Sequence, residues 1–115
     1  MFIHEKIEIG YDDLKVETKP SGRKYITPDG EAYPSITTVL GVLSADSIAA
    51  WRARVGDVEA NKISHKATTR GTAVHDLVEK YLDNEELPKV MPHVMASLAN
   101  LKPSLSRIGK IFAQE

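Results

Sequence analysis

Residues 70–82 read Arg-Gly-Thr-Ala-Val-His-Asp-Leu-Val-Glu-Lys-Tyr-Leu, and Val74, Leu77, Val78 and Tyr81 recur at i, i+3, i+4 and i+7. That spacing gathers all four on one face of a helix. Gly71 and Thr72 punctuate its start, where a Thr hydroxyl accepts from the first free backbone N–H groups. Upstream, residues 57–69 predict a further helix with Ala60, Ile63 and Ala67 inward. Downstream, residues 91–101 predict another, with Val94, Leu98 and Leu101 inward. Lys102-Pro103 interrupts it, and a short helix follows over residues 104–108. Residues 83–88 form an acidic surface loop between these helices, and residues 109–115 begin a strand.

The first third of the chain has a different period. Phe2, Ile7 and Ile9 among acidic neighbours suggest a short exposed strand. Residues 14–18 alternate apolar and polar, 19–22 carry Pro, Ser and Gly, and 23–27 resume with strand formers, which is a hairpin. Pro28-Asp-Gly-Glu31 is a second turn, and Ala32-Tyr33 adds a brief third strand. Ser35 then caps a helix bearing Ile36, Val39, Leu40 and Leu43. Ser44 or Asp46 caps the next, whose apolar side holds Ile48, Ala50, Trp51 and Val55, with Trp51 as a buried anchor. Gly56 breaks the path. The pattern describes an α+β protein: a small antiparallel hairpin region at 1–33, a mostly helical part at 34–108 and the start of a strand at 109–115. The whole reads as a single incomplete domain.

Composition narrows the function classes. The 115 residues are 42% hydrophobic, enough for a core, and 15 basic against 16 acidic residues leave a formal charge of -1. That balance disfavours bulk attraction to nucleic acid and leaves room for a local patch. No cysteine is present, so disulfides and thiolate metal sites are excluded. No apolar run reaches the roughly 18 residues of a membrane span, and the N-terminus lacks a signal-peptide pattern, so the expectation is a cytoplasmic protein without a membrane partner.

Three groups carry candidate chemistry. His75 and Glu79 stand one turn apart at the edge of the apolar stripe, where a His ligates a metal or moves a proton. A boundary residue with a solvated carboxylate below it is the plainer reading. Lys62, Lys66 and Arg70 form an i, i+4, i+8 stripe, and residues 52–70 hold five basic against two acidic side chains. The stripe is either a solvated face or a surface that tracks phosphates. Ser35 and its Thr neighbours either cap a helix or hold a phosphate at its N-terminus. Nucleophile triads, P-loops and dinucleotide loops are absent from the sequence.

The order of motifs adds a resemblance. Tyr33-Pro-Ser-Ile-Thr-Thr-Val-Leu40, Trp51-Arg-Ala-Arg-Val-Gly56, Glu59-Ala60 and Arg70-Gly-Thr-Ala-Val-His75 with Glu79 together resemble the N-terminal part of RecB-like PD-(D/E)XK exonucleases, the phage type related to the mitochondrial genome maintenance exonuclease. The resemblance covers about residues 23–115. It implies hydrolysis of DNA, single-stranded or with free ends, by water on Mg²⁺ or Mn²⁺. It implies that His75 lies beside the metal as a ligand, that Glu115 is a catalytic residue of the first core strand, and that Ser35, Thr37, Arg70 and Thr72 line the DNA path. The family's later Asp and Asp/Glu-X-Lys strands have no counterpart after Glu115. The implied protein is therefore the N-terminal fragment of an exonuclease, inactive alone, with a second polypeptide as one possible source of the remaining core. The alternative is a non-catalytic nucleic-acid-binding or protein-interaction module.

Overall fold

A computed structural model describes residues 1–114. In chain order the elements are β1 (Ile3–His4), β2 (Lys15–Lys19), β3 (Gly22–Ile26), β4 (Ala32–Pro34), α1 (Ile36–Val55), α2 (Asp57–Leu82), α3 (Pro92–Leu105) and β5 (Lys110–Ile111). The α+β class follows. The chain divides into two compact units, Gly10–Ala60 and Met1–Ile9 with the chain from Asn61 onward.

In the Gly10–Ala60 unit, β2, β3 and β4 form an antiparallel sheet in that order, with Val16 opposite Tyr25 and Tyr25 opposite Tyr33. Both predicted turns are present. Pro20 and Ser21 join β2 to β3, whose paired ends are Lys19 and Gly22. Thr27 and Glu31 close the second turn through Thr27 N–H to Glu31 O at 2.9 Å. Thr27 Oγ1 also donates to the Asp29 carboxylate, and this bond holds the Asp29 carboxyl below its ordinary range.

Ser35 leads directly into α1. Its Oγ accepts from Thr38 N–H at 3.2 Å, the expected N-cap. Its own N–H donates to Arg23 O at 2.8 Å, which ties the helix start to β3. The sequence divides this region into two helices, whereas α1 is one helix of 20 residues. Ser44 does not cap; its hydroxyl donates back to Gly41 O at 3.2 Å, a bond that fits inside a helix. Gly56, at φ 84°, ends the helix, and Arg52 reaches across it to Asp57 Oδ1 at 3.0 Å. No residue of α1 is buried, and Trp51 is half-buried.

In the other unit, Leu77 of α2 packs with Val94 and Leu98 of α3 as the core. Val74, Val78 and Tyr81 close around them, as the 3.6-residue period requires. Each fully buried side chain of this kind contributes about 1.5–3 kcal/mol. The helix does not begin at Gly71. It runs unbroken from Asp57, with Gly71 and Thr72 inside it. One glycine in a helix interior costs about 1 kcal/mol relative to Ala, less than the roughly 1.5–3 kcal/mol that burial of Leu77 on the same helix contributes. Ile63, Ala67 and Leu101, expected inward, are exposed, whereas Ala60, the last residue of the Gly10–Ala60 unit, is fully buried. Pro103 likewise fails to interrupt; α3 continues through it to Leu105. Proline forfeits one ladder bond there, next to an end that Ser106 closes by donating to Lys102 O at 2.8 Å.

The strand expected over residues 109–115 is shorter, Lys110–Ile111, and pairs in parallel with β1, Ile3 opposite Lys110. Lys110 also forms an ion pair with Glu5. At the end of α2, Asn84 adopts φ 60°. Glu85 N–H donates to Lys80 O at 2.9 Å and Asn84 N–H to Tyr81 O at 3.3 Å, the two bonds of a Schellman cap. Among the described residues, no helix is long and apolar enough to cross a membrane.

Candidate nucleic-acid interface

Because α2 is continuous, the angular position of each side chain follows from 3.6 residues per turn. Lys62, Lys66 and Arg70 progress slowly around the axis and share one face, about 6 Å apart along it. His65, Thr69 and Ala73 make a second i, i+4, i+8 row on the same face. All but Ala73 of these side chains are exposed. Arg70 is the most constrained: its Nη2 donates to Ser97 Oγ at 3.3 Å, and Ser97 Oγ donates to His93 O at 3.0 Å. The guanidinium is thereby tethered to the first turns of α3.

Where α2 meets α3, that face opens into a cleft of about 590 Å³. Lys66, Arg70, His65 and His93 supply its nitrogen-bearing side chains, and Ala73, Met91 and Val94 its apolar wall. No carboxylate is among the described residues lining it. This is an electropositive concavity with an apolar wall, a combination suited to a phosphate attached to a less polar body. From the sequence, His65 and His93 are surface residues without a role. His65 is legible as part of the row beside the basic stripe; His93 enters only through the packing of α3.

The other expected site residues lie elsewhere. His75 is exposed and sits about 140° around α2 from Arg70, with Glu79 on its own side. Thr72 is about 200° from Arg70. The segment after β5 meets α2 one turn beyond His75, where Gln114 Nε2 donates to Glu79 O at 3.1 Å. Glu115 lies outside the described residues. In the other unit, Ser35 is buried with its hydroxyl taken up by Thr38 Oγ1 at 2.8 Å and Thr37 Oγ1 at 3.2 Å, while Thr37 is exposed.

The chemistry that Mg²⁺ or Mn²⁺ would need is several oxygen donors around one point. Among the described residues, no group of three or more His, Asp or Glu side chains stands together in that way. His75 with Glu79 does not by itself make such a site. The two groups with shifted titration are remote from the cleft. Asp29 is lowered by Thr27, and Lys80 is raised chiefly by its hydrogen bond and ion pair with Glu85 at 3.1 Å.

No family model matches this chain, and neither does any of the curated proteins or solved structures compared with it.

Proposed function

We propose that this chain is the DNA-holding portion of a metal-dependent exonuclease of the PD-(D/E)XK type, acting in the cytoplasm on single strands or free ends. The observation that supports DNA holding is the cationic face of α2, with Lys66 and Arg70 at the α2–α3 cleft and Lys62 continuing the row. The motif order from Tyr33 to Glu79 supports the nuclease type. A single strand carries a phosphate about every 3.4 Å when stacked, so cations about 6 Å apart meet roughly every second one. The row neutralises phosphates and sets position; it carries no sequence reading of its own.

In this reading hydrolysis needs further carboxylates around the metal, with a second polypeptide as one source of them. Mg²⁺ or Mn²⁺, held there, would supply the activated water. What this chain's own residues do is bind and orient the strand, with His75 as the side chain that would lie beside the metal. A non-catalytic nucleic-acid module is the second reading, favoured by the position of His75 on a different side of α2 from the cationic row.

The test has two arms. The pure chain is titrated with single-stranded DNA at several salt concentrations; salt-dependent binding that weakens when Lys62, Lys66 and Arg70 are replaced supports the interface. The chain is then fused to the C-terminal core of a nuclease of the resembled type and assayed with Mg²⁺ or Mn²⁺. Cleavage that His75→Ala abolishes supports the exonuclease; a folded fusion that binds DNA without cleaving it leaves the module.

A further inference from the structure

The α2–α3 cleft differs from the rest of the cationic row in a way that selects a ligand. Along α2, Lys62 is exposed on the open helix surface one turn before Lys66 and does not line the cleft. At the cleft, Lys66 and Arg70 converge with His65 and His93 around one concavity of about 590 Å³. Two permanent positive charges then face one volume, with imidazole N–H donors beside them. A backbone phosphodiester carries a single negative charge, and one such group leaves this cluster under-neutralised. A phosphate monoester carries about -1.5 to -2 at neutral pH and presents three acceptor oxygens.

Arg70 sharpens the match. Its fork accommodates two oxygens of a phosphate at once. The bond to Ser97 Oγ at 3.3 Å, backed by Ser97 Oγ to His93 O at 3.0 Å, holds that fork at the cleft before any ligand arrives. Less side-chain freedom is then lost on binding. Ala73, Met91 and Val94 offer an apolar wall, which a bare inorganic ion would not use and a sugar or base would.

We infer that this cleft seats a phosphate monoester, that of the phosphorylated end of a nucleic-acid strand, while Lys62 contacts the backbone beyond it. The inference rests on the nucleic-acid reading above and adds an end preference to it. Arg70 and Lys66 grip the terminal phosphate, and the terminal nucleotide lies against Met91 and Val94.

Calorimetric titration of the full chain tests this with short single strands of one sequence, bearing hydroxyl ends, a 5′-phosphate or a 3′-phosphate, and with thymidine 5′-monophosphate alone. One phosphorylated end is expected to bind about tenfold tighter than the hydroxyl-ended strand, the effect of roughly one added charge-assisted contact. Arg70→Gln should remove that preference, Arg70→Lys should restore part of it, and Lys62→Gln should weaken all strands equally. Circular dichroism of each variant verifies the fold. Equal binding of phosphorylated and hydroxyl ends overturns the end seat and leaves strand binding intact. Binding of the mononucleotide with no strand bound overturns the strand end as the source of the monoester. Absence of binding by any of the four overturns both readings.

Discussion

Asn84 clamps the backbone of Phe2 from 82 residues away in sequence. Phe2 N–H donates to Asn84 Oδ1 at 2.7 Å, and Asn84 Nδ2 donates to Phe2 O at 2.9 Å. The same residue supplies the left-handed position of the α2 cap, at φ 60°. Glycine is the usual residue there because it has no Cβ; Asn tolerates the conformation and adds a side chain that behaves like a strand edge. The clamp places the Phe2 ring against Tyr81, edge to face, with centroids 5.2 Å apart. Lys102 lies 5.2 Å from the centre of that Tyr81 ring.

The clamp separates two substitutions. Asn84→Gly keeps the turn and loses both hydrogen bonds, a destabilisation of about 1–2 kcal/mol partly offset by backbone relief. Asn84→Ala loses the bonds and also strains the left-handed backbone, so it should cost about 1 kcal/mol more. Urea midpoints should fall in the order wild type, Gly, Ala. Equal midpoints for Gly and wild type would remove the clamp from the account.

Gly22 is required where β3 meets the first turn of α1. Its φ is 125°, and a Cβ built there would stand 2.7 Å from Thr38 Cγ2 and 2.9 Å from Thr38 Oγ1. Gly22→Ala should destabilise the hairpin and helix junction by roughly 1–3 kcal/mol. Adding Thr38→Ser removes the methyl contact but not the backbone strain, so it should recover only part. Full recovery in the double variant, read by chemical denaturation, would assign the whole effect to the methyl.

Asp29 should titrate below the ordinary carboxylate range, because Thr27 Oγ1, its own N–H and the Glu31 N–H all stabilise the charged form. A carboxyl lowered on folding contributes stability that is present above its unfolded pKa and lost as pH falls through the folded one. The turn should therefore loosen only in acid, below the ordinary Asp range. Thr27→Val should move the Asp29 midpoint upward in an NMR titration. An unchanged midpoint would exclude the hydroxyl as the main cause.

Replacing Lys62, Lys66 and Arg70 with Gln should flatten the dependence of DNA affinity on salt. Each neutralised phosphate on a single strand contributes about 0.7 to the slope of log K against log salt. Three lost contacts should reduce it by about 2. Fluorescence anisotropy at several salt concentrations gives that slope; an unchanged slope would place the contact surface elsewhere.

Helix α1 exposes Ile36 at 75%, Leu40 at 54% and Leu43 at 83% on one stripe, together with Val39. Apolar stripes of this size favour association. The chain should sediment as larger species as its concentration rises, and Leu40→Glu with Leu43→Glu should shift it toward monomer. A wild-type monomer across the whole concentration range would count against this behaviour.

Element types were legible in the sequence because they depend on neighbours. The alternation at 14–27 and the Pro-Asp-Gly turn led to β2 and β3, the Ser35 cap to α1, and the Val74–Tyr81 stripe to the packed part of α2. Helix continuity was not legible at Ser44, Gly71 or Pro103. Ser44 and Gly71 cost about 1 kcal/mol or less inside a helix, and Pro103 sits in the last turn of α3, where it forfeits one bond close to the end. The basic row Lys62–Lys66–Arg70 was legible because it lies on one helix at fixed spacing. Its cleft was not, since His93 and Ser97 come from α3 and meet α2 only when Leu77, Val94 and Leu98 pack. The parallel pairing of β1 with β5 and the Asn84–Phe2 clamp join segments far apart in sequence, and no local pattern encodes which distant backbone will be near. Periodicity determined which residues share a face; which faces are covered, and which stay open like that of α1, was decided by tertiary packing.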